Sequence, residues 1–252
     1  MSSVLPRLRE LCAAHGCDPA AAPRLERALL LLAADPTAPT TAVEPSVAVE
    51  VHVADGMDGL QLDLVRRAVK VADLGAGAGF PGLVLAICLP GATVSLVEAN
   101  GRKCEFIGRL VEGAGIANAL PVHARAEAWP GGLGQHDLVT ARALGPLAVL
   151  VEYAAPLLAH DGHLVAWKGE HDEVEEADAV AAAQATGMEP VEIRRVAPRP
   201  GADHHHLHVF RKVAATPGRY PRRDGMARKR PITAARSAAT SVDTGPSRAR
   251  VT

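Results

Sequence analysis

The pattern of hydrophobic and polar positions changes in character near residue 70. Upstream, the apolar residues of "APRLERALLLLAADP" recur at helical spacing and stop at Asp35-Pro36, which predicts a helix. Residues 36–47 are rich in Pro, Thr and Ala, so we predict a loop there. Downstream of residue 70, short apolar strands alternate with helical segments as far as residue 213. The pattern therefore predicts a helical N-terminal part followed by an α/β part.

The α/β part contains seven predicted strands. We predict strands over 70–74, 93–98, 119–124, 136–142, 162–169, 188–196 and 205–213, and helices over 81–89, 101–115, 145–158 and 172–187. Strands that alternate with helices are typical of a mostly parallel sheet covered on both faces. The last two strands have no helix between them, so we expect them to pair antiparallel. The prediction is a Rossmann-like α/β fold with a mostly parallel seven-stranded sheet and an antiparallel last strand.

Composition supports a division of the chain into three parts. With 252 residues, 48% of them hydrophobic, the chain can form one sizeable α/β domain with appendages. We predict a small helical N-terminal cap over 1–67, the main domain over 68–213 and a tail over 214–252. The tail lacks periodicity and is rich in Pro, Arg, Gly, Ser and Ala, so we expect it to be basic and partly disordered.

The net charge of −1 conceals a strong asymmetry along the chain. From Arg211 onward there are eleven Lys and Arg residues and two acidic residues, so the remainder of the chain is acidic. A basic tail on an acidic body favours a polyanionic partner. A disordered tail that only promotes solubility explains the same composition equally well.

Cysteine usage and hydropathy favour a cytoplasmic protein. The four cysteines (Cys12, Cys17, Cys88 and Cys104) form no C-x-x-C pair, so we expect free thiols in a reducing compartment. The longest apolar stretches, such as residues 28–34, are too short to span a bilayer. The first residues carry charges and no apolar core of a signal peptide, so we expect neither a signal peptide nor a membrane partner.

A glycine-rich loop, "VADLGAGAGFPG", follows the first predicted strand, where open α/β sheets bind their ligands. A dinucleotide pyrophosphate needs free N–H groups at the start of the next helix, and Pro81 removes one of them. Asp73 ends the strand two residues before Gly75, and its carboxylate would repel a pyrophosphate. The same carboxylate would attract the sulfonium or ammonium of S-adenosylmethionine. This arrangement is that of class I methyltransferases, and it favours S-adenosylmethionine over a dinucleotide.

The second strand ends at Glu98, where a carboxylate can accept hydrogen bonds from both hydroxyls of a ribose. NAD would use such an acid in the same way, so Glu98 does not separate the two ligands. The alternative is that Glu98 only caps the following helix. Because Glu98 accompanies a glycine-rich loop, we favour the ribose role.

Several stretches occur in order that are similar to one family: "DLGAGAGFPG", "LVEANGRKCEFI", "HARAE", "VTARALGPL" and "VAWKG". Over roughly residues 50–231 the chain resembles the bacterial 16S ribosomal RNA guanine-N7 methyltransferases (RsmG, formerly glucose-inhibited division protein B, GidB). "EVHVADG" is similar to the family's H-x-x-D-S segment, with Gly56 in place of Ser, and "YPRRDGMARKRP" looks like its basic C-terminal stretch. The family's W-N-x-x-x-N-L-T stretch is not recognisable.

The resemblance implies a class I S-adenosylmethionine-dependent methyltransferase with a helical N-terminal cap. It implies that the substrate is a guanine in the decoding-region hairpin of 16S RNA. The implied partner is this RNA, the small ribosomal subunit or an assembly intermediate of that subunit. Transferred residue by residue, it implies that Asp73, Gly75, Gly77, Phe80, Glu98, Ala126, Glu127 and Arg142 bind the methyl donor, with Glu98 on the ribose and Ala126 and Glu127 at the adenine. Arg142 and Lys168 would face the substrate as catalytic residues. We expect a monomer that uses no metal.

The expected chemistry fits the residue types after the fourth strand. Guanine N7 has a free lone pair and attacks a methyl group without a general base, so proximity and orientation can suffice. The stretch "TARALGPL" lacks the Pro-Pro loop of amino methyltransferases and the Pro-Cys nucleophile of cytosine-C5 enzymes. Arg142 and Lys168 could instead grip phosphate or hydrogen-bond guanine O6. Their alternative role is in surface salt bridges.

Two further patterns have competing explanations. Trp129 and Trp167 could stack on a base, although packing explains them better. On a strand, the imidazoles of "DHHHLH" (His204, His206 and His208) could hold zinc, but no carboxylate or Cys recurs at ligand spacing, so we favour a solvated strand. Two other functions remain as alternatives to the methyltransferase: an NAD-dependent oxidoreductase, and a catalytically weak RNA-binding protein with the same fold.

Overall fold

The computed structural model describes residues 3–198 and 203–235. Its central sheet has seven strands: β1 (Lys70–Leu74), β2 (Thr93–Glu98), β3 (Ala119–His123), β4 (His136–Arg142), β5 (Leu158–Lys168), β6 (Met188–Arg195) and β7 (His206–Lys212). They lie in the order β3-β2-β1-β4-β5-β7-β6. Pairing is parallel from β3 through β5, and β7 is antiparallel to both β5 and β6. The predicted fold class is confirmed.

The topology brings the functional ends of several strands to one edge of the sheet. The carboxyl ends of β1, β2, β4 and β5 meet there, and the antiparallel β7 contributes its amino end. The central strands are apolar because both of their faces are covered, and β1 is buried from Val71 to Leu74. Residues that follow these strands are therefore collected at a single edge.

Ten α-helices surround the sheet in the described part of the chain. They are α1 (Leu5–Ala14), α2 (Ala21–Ala34), α3 (Pro45–Ala48), α4 (Asp55–Asp58), α5 (Asp63–Arg66), α6 (Gly82–Cys88), α7 (Gly101–Ala114), α8 (Leu147–Ala154), α9 (Glu173–Thr186) and α10 (Met226–Lys229). A π-helical turn (Val49–Ala54) and a 3₁₀ turn (Gly59–Gln61) join α3, α4 and α5. Local signals set several ends: Asn100 and Asp172 cap α7 and α9, and Gly115 and Gly187 end them in left-handed conformations.

One predicted boundary was wrong by several residues. The predicted helix over 145–158 ends at Ala154, and β5 begins at Leu158 rather than at residue 162. Pro156 explains the early end of the helix, because proline has no N–H to continue the helical hydrogen bonds. The extra strand residues pair with β4 at His136, next to an irregularity in the register.

The N-terminal helices share a hydrophobic core with the sheet. Leu8 on α1 and Leu25 on α2 belong to the same buried cluster as Leu83 on α6, Val94 on β2 and Phe106 on α7. A second cluster, built mainly by α8 and α9, covers the opposite face. The helical segment before residue 68 therefore packs as part of one face of the sheet.

Residues 214–235, the described part of the predicted basic tail, pack against the main domain. Ala227 is buried, and Ile232 packs against the core that contains α8. The rest of the predicted tail, 236–252, lies outside the described residues. Within the described part, none of the helices combines the length and the apolar content needed to cross a membrane.

Candidate functional site

A cleft of about 460 Å³ opens at the carboxyl ends of β1 and β2. It is lined by the glycine loop, the end of β2, the turn after β3, the turn after β4 and part of the C-terminal segment; its lining residues include Gly75, Gly77, Glu98, Asn100, Lys103, Arg125, Ala126, Glu127, Leu144, Tyr153, Gly225 and Arg228. The edge of the sheet at which open α/β folds bind ligands is therefore the edge that carries the cleft.

The glycines of the loop divide into two roles. At Gly77, φ is +57° and a Cβ would meet only the Gly75 carbonyl, at 3.7 Å, so this backbone faces open space in the cleft. At Gly82, a Cβ would lie 2.3 Å from the side chain of Leu96 and 2.8 Å from the carboxylate of Asp73. Gly77 is thus suited to a close ligand, whereas Gly82 is required by packing within the protein.

Glu98 lines the cleft and also holds the glycine loop. One carboxylate oxygen accepts the N–H of Gly77 at 3.0 Å, and the other accepts the N–H of Asn100 at 2.7 Å. The side chain of Asn100, rather than that of Glu98, caps α7 by accepting the N–H of Lys103. A carboxylate has about four acceptor positions, so Glu98 keeps capacity for ligand hydroxyls.

Asp73 lies beneath the loop and fixes its shape. Its carboxylate accepts the Thr140 hydroxyl at 2.8 Å and the Gly82 N–H at 3.0 Å, and the residue is 1% exposed. Burial raises the pKa of Asp73 to about 6, although both hydrogen bonds act in the opposite direction. Asp73 therefore joins the start of α6 to the adjacent strand β4.

Phe80 connects the glycine loop to the N-terminal helices. It is 4% exposed, and its ring stacks on that of His52 with centroids 4.7 Å apart and planes 11° apart. Burial lowers the pKa of His52 to about 4, so the imidazole is neutral at physiological pH. The resemblance implies that Phe80 lines the donor site. In the structure the Phe80 ring is buried against the imidazole of His52.

Ala126 and Glu127 line the far end of the cleft, together with residues that sequence reasoning missed. The carboxylate of Glu127 accepts the N–H of Gly225 at 3.1 Å, and the Tyr153 hydroxyl lies 3.5 Å from it. The residues missed include Asn100, Lys103, Arg125, Leu144, Tyr153, Gly225 and Arg228. The basic stretch "YPRRDGMARKRP" contains Gly225 and Arg228, and it was the sequence pattern that could have indicated them.

Arg142 ends β4 and binds the N-terminal helices. Its guanidinium donates to the Asp55 carboxylate at 2.6 Å and to the Val51 carbonyl at 2.8 Å. The other carboxylate oxygen of Asp55 lies 2.9 Å from Nδ1 of His205. The Arg142 side chain is 19% exposed, so this pair is largely buried, unlike the surface salt bridge considered as its alternative.

Lys168 ends β5 and also makes an ion pair. Its ammonium lies 2.6 Å from the carboxylate of Glu175, and its side chain is 21% exposed. The same oxygen of Glu175 accepts the N–H of Leu147, the first residue of α8. Lys168 therefore connects the end of β5 to α9, at the sheet edge that carries the cleft.

Packing accounts for both tryptophans. Trp167 is 4% exposed, and its indole N–H donates to the Asp55 carbonyl at 2.8 Å. Trp129 packs against His136, with ring centroids 5.1 Å apart. The structure therefore supports a packing role for both tryptophans.

The histidine stretch enters the sheet at His206, where β7 begins, and the predicted solvation was wrong for His206 and His208, which are both buried. His206 lies with Nδ1 3.0 Å from the Gly169 carbonyl, and the ring of His171 packs edge-on against it at 4.0 Å. His208 is buried, and burial lowers its pKa to about 4. Across residues 3–198 and 203–235, no three His, Cys, Asp or Glu side chains are grouped so that they could hold a metal ion.

Comparison with known sequences identifies similar proteins over most of the chain. A family model described as "GidB: rRNA small subunit methyltransferase G" matches residues 36–205. The "Ribosomal RNA small subunit methyltransferase G" of Rubrobacter xylanophilus is 39% identical over 198 residues, which cover 75% of each chain. The protein of the same name from Roseiflexus castenholzii is 43% identical over 171 residues, covering 65% of this chain and 70% of that one.

Two solved structures with a similar fold are named as methyltransferases. A SAM dependent methyltransferase from Aquifex aeolicus has a TM-score of 0.53 and 15% identity, covering 68% of this chain and 94% of that chain. The mitomycin 7-O-methyltransferase MmcR has a TM-score of 0.54 and 14% identity, covering 68% of this chain and 56% of that one. At this level of identity, the likeness concerns the fold alone.

Proposed function

Because this chain belongs to the rRNA small subunit methyltransferase G family, we propose that it transfers a methyl group from S-adenosylmethionine to N7 of a guanine in 16S ribosomal RNA. The observation that carries the proposal is the open backbone of Gly77 beside the carboxylate of Glu98, in a cleft at the edge of the sheet. S-adenosylmethionine supplies an electrophilic methyl group. The reaction takes place in the cytoplasm, where small ribosomal subunits are assembled.

The cleft suits the parts of the methyl donor. Glu98 would accept the ribose hydroxyls, and Ala126 and Glu127 would bind the adenine, because these residues line the same cleft. Gly77, whose Cβ position is open, would allow the amino-acid portion to approach the backbone closely, and Gly75 lines the same cleft beside Leu144. One chain provides all of these residues, so the protein would act as a monomer.

The start of α6 argues against the NAD-dependent oxidoreductase. Pro81 is the residue before the helix and has no N–H. The N–H of Gly82 is already donated to the buried carboxylate of Asp73, and that of Leu83 to the Gly79 carbonyl. A pyrophosphate would need these N–H groups and would lie near a carboxylate.

A basic rim supports an RNA substrate. Lys103, Arg125 and Arg228 line the cleft and are exposed, and Arg223 and Lys229 are exposed in the docked C-terminal segment. Cationic side chains that neutralise phosphates release counterions from the nucleic acid, which favours binding at low salt. The rim would hold RNA against the mouth of the cleft.

Arg142 and Lys168 are assigned to the substrate side of the reaction. They stand at the ends of neighbouring strands, and each exposes about a fifth of its side chain despite its ion pair. In this role they donate to guanine O6 or to an RNA phosphate and orient the base. N7 becomes cationic as it is methylated, so these groups serve best away from N7. Orientation is then the main contribution of the protein, since N7 needs no general base.

A methyl-transfer assay tests the proposal. The purified protein is incubated with radiolabelled S-adenosylmethionine and either free 16S RNA or 30S particles, and N7-methylguanine is mapped by strand cleavage at the modified base. We expect label at one guanine. Intact binding of S-adenosylhomocysteine and of RNA without any N7 methylation would favour the non-catalytic RNA-binding protein instead. Tighter binding of NAD than of S-adenosylhomocysteine would favour the oxidoreductase.

A further inference from the structure

The C-terminal segment, residues 217–230, forms part of the cleft wall although it follows the whole sheet in sequence. Gly225 and Arg228 line the cleft together with residues of the glycine loop and of the turn after β3. Ala227, between them, is 3% exposed. The segment is therefore packed into the domain at the position where the methyl donor is proposed to bind.

A buried ion pair anchors this segment. Glu152 on α8 is 1% exposed, and its carboxylate accepts a hydrogen bond from Nε of Arg222 at 2.7 Å. The same guanidinium donates to the Arg230 carbonyl at 2.9 Å. Arg222 therefore fastens the segment to α8 and also closes the turn between residues 222 and 230. A buried carboxylate is costly without a partner, so this contact is a strong constraint on the segment.

The anchored turn contacts both walls of the cleft. The N–H of Gly225 donates to the Glu127 carboxylate at 3.1 Å, on the side proposed for the adenine. The guanidinium of Arg228 donates to the Leu144 carbonyl at 2.7 Å, and the Leu144 side chain lies against Gly75 of the glycine loop. The position of Glu127, and the closure of the cleft near Gly75, thus both depend on where Arg222 holds the segment.

We propose that Arg222 and Glu152 are positioning residues for the methyl donor: their ion pair holds the C-terminal segment in place as a wall of the site and orients Glu127. The proposal deepens the proposed function and rests on the donor site assigned there. The ligand class is an adenosyl nucleoside, and neither Arg222 nor Glu152 needs to touch it.

The test measures S-adenosylhomocysteine affinity by titration calorimetry on the full chain. Arg222→Ala alone leaves Glu152 buried without its cation and is expected to unfold easily. The double variant Glu152→Gln/Arg222→Gln removes both charges, so no buried charge is left unpaired and thermal denaturation should show that it folds. We expect its affinity to be at least about tenfold weaker than that of the wild type, and KM for S-adenosylmethionine to rise by a similar factor while kcat changes little. Arg222→Lys, which keeps the charge, should recover part of the affinity.

Arg219→Ala is the matched control, because Arg219 is exposed in the same segment and its guanidinium lies over the ring of Tyr220. It removes one positive charge and should leave the affinity unchanged. A folded double variant that binds S-adenosylhomocysteine as tightly as the wild type would overturn the inference. Wild-type protein that binds S-adenosylhomocysteine but methylates no RNA would overturn the proposed reaction alone. If the wild type failed to bind it at all, the donor site itself would be refuted, and this inference with it.

Discussion

The guanidinium of Arg142 lies 2.6 Å from the carboxylate of Asp55, so the last residue of β4 is bound directly to the N-terminal helices. Because the pair is largely buried, Arg142→Ala removes a buried ionic contact with Asp55 and the hydrogen bond to the Val51 carbonyl. We expect the free energy of unfolding to fall by about 3 kcal/mol in urea denaturation. The matched control is Arg67→Ala, since Arg67 and Asp63 form a pair that is 81% and 82% exposed. Its expected cost is below about 1 kcal/mol. Equal losses in the two variants would contradict a structural role of the Arg142 pair.

Arg142→Lys separates the structural role of Arg142 from its proposed role on the substrate. Lysine keeps the charge beside Asp55 but lacks the planar fork that donates to two acceptors at once. We expect this variant to keep most of the stability and to methylate 16S RNA at least about tenfold more slowly. Methyl transfer at the wild-type rate would restrict Arg142 to joining the helices to the sheet.

Asp73 makes the stability of the folded protein fall as the pH rises. Burial raises the pKa of Asp73 to about 6 from an ordinary value of 3.8. Between these two pH values the folded protein keeps a proton that the unfolded chain has released, so the free energy of unfolding falls as the pH rises. The proton on Asp73 therefore stabilises the folded protein by about 3 kcal/mol below pH 3.8, and this stabilisation is lost by about pH 6.

Asp73→Asn removes this titration. Relative to the wild type, the variant should therefore gain about 2 kcal/mol between pH 4 and pH 7, because all other titrating groups contribute equally to both proteins. Urea denaturation of the two proteins at pH 4, 5, 6 and 7 measures the difference. A stability difference that stays constant across this range would show that Asp73 has an ordinary pKa.

Gly77→Ala tests whether the open backbone of the loop receives a ligand. The left-handed conformation of Gly77 costs an alanine about 1 kcal/mol, so the variant should still fold. Its methyl group would project into the cleft, and we expect S-adenosylhomocysteine affinity to drop at least about tenfold. Gly91→Ala is the control, since a Cβ there meets nothing within 4 Å and Gly91 lies outside the cleft lining. Undiminished affinity in Gly77→Ala would remove the loop from the donor site.

Salt dependence tests the basic rim. We expect the affinity for 16S RNA, measured by filter binding, to fall steeply with salt. Lys103→Ala/Arg125→Ala should reduce the slope of log affinity against log salt by roughly 1 to 2, because each side chain removed leaves one phosphate without its cation. Arg24→Ala removes an exposed charge from α2 and should leave the slope as it is. The rim would lose its assigned role if both variants kept the wild-type slope.

The secondary structure was largely readable from local patterns. The bounds of β1, β2 and β4 agree with the predicted strands because short apolar runs between turn residues are typical of strands buried on both faces. Gly115 and Gly187 marked the ends of their helices because few other residues tolerate the left-handed end position. The start of β5 was missed, because Leu158 was counted with the preceding helix although Pro156 interrupts the helical hydrogen bonds.

The candidate site was predicted in part. Gly75, Gly77, Glu98, Ala126 and Glu127 were all expected at the donor site, and they line one cleft. Each stands at the end of a strand of the parallel sheet or shortly after it, so topology alone brings them to one edge. The C-terminal lining residues were missed because no strand leads to them and their position depends on the ion pair that anchors the segment.

The sequence by itself determined the order of elements, the sheet edge that carries the site and the loop residues that follow each strand, because these follow from short-range periodicity and turn chemistry. Only the tertiary structure decided which charged groups are paired. Arg142 meets Asp55 across 87 positions in the chain, and Arg222 meets Glu152 across 70. No local spacing rule connects such residues, since their contact is set by how the helices and the C-terminal segment pack against the folded sheet.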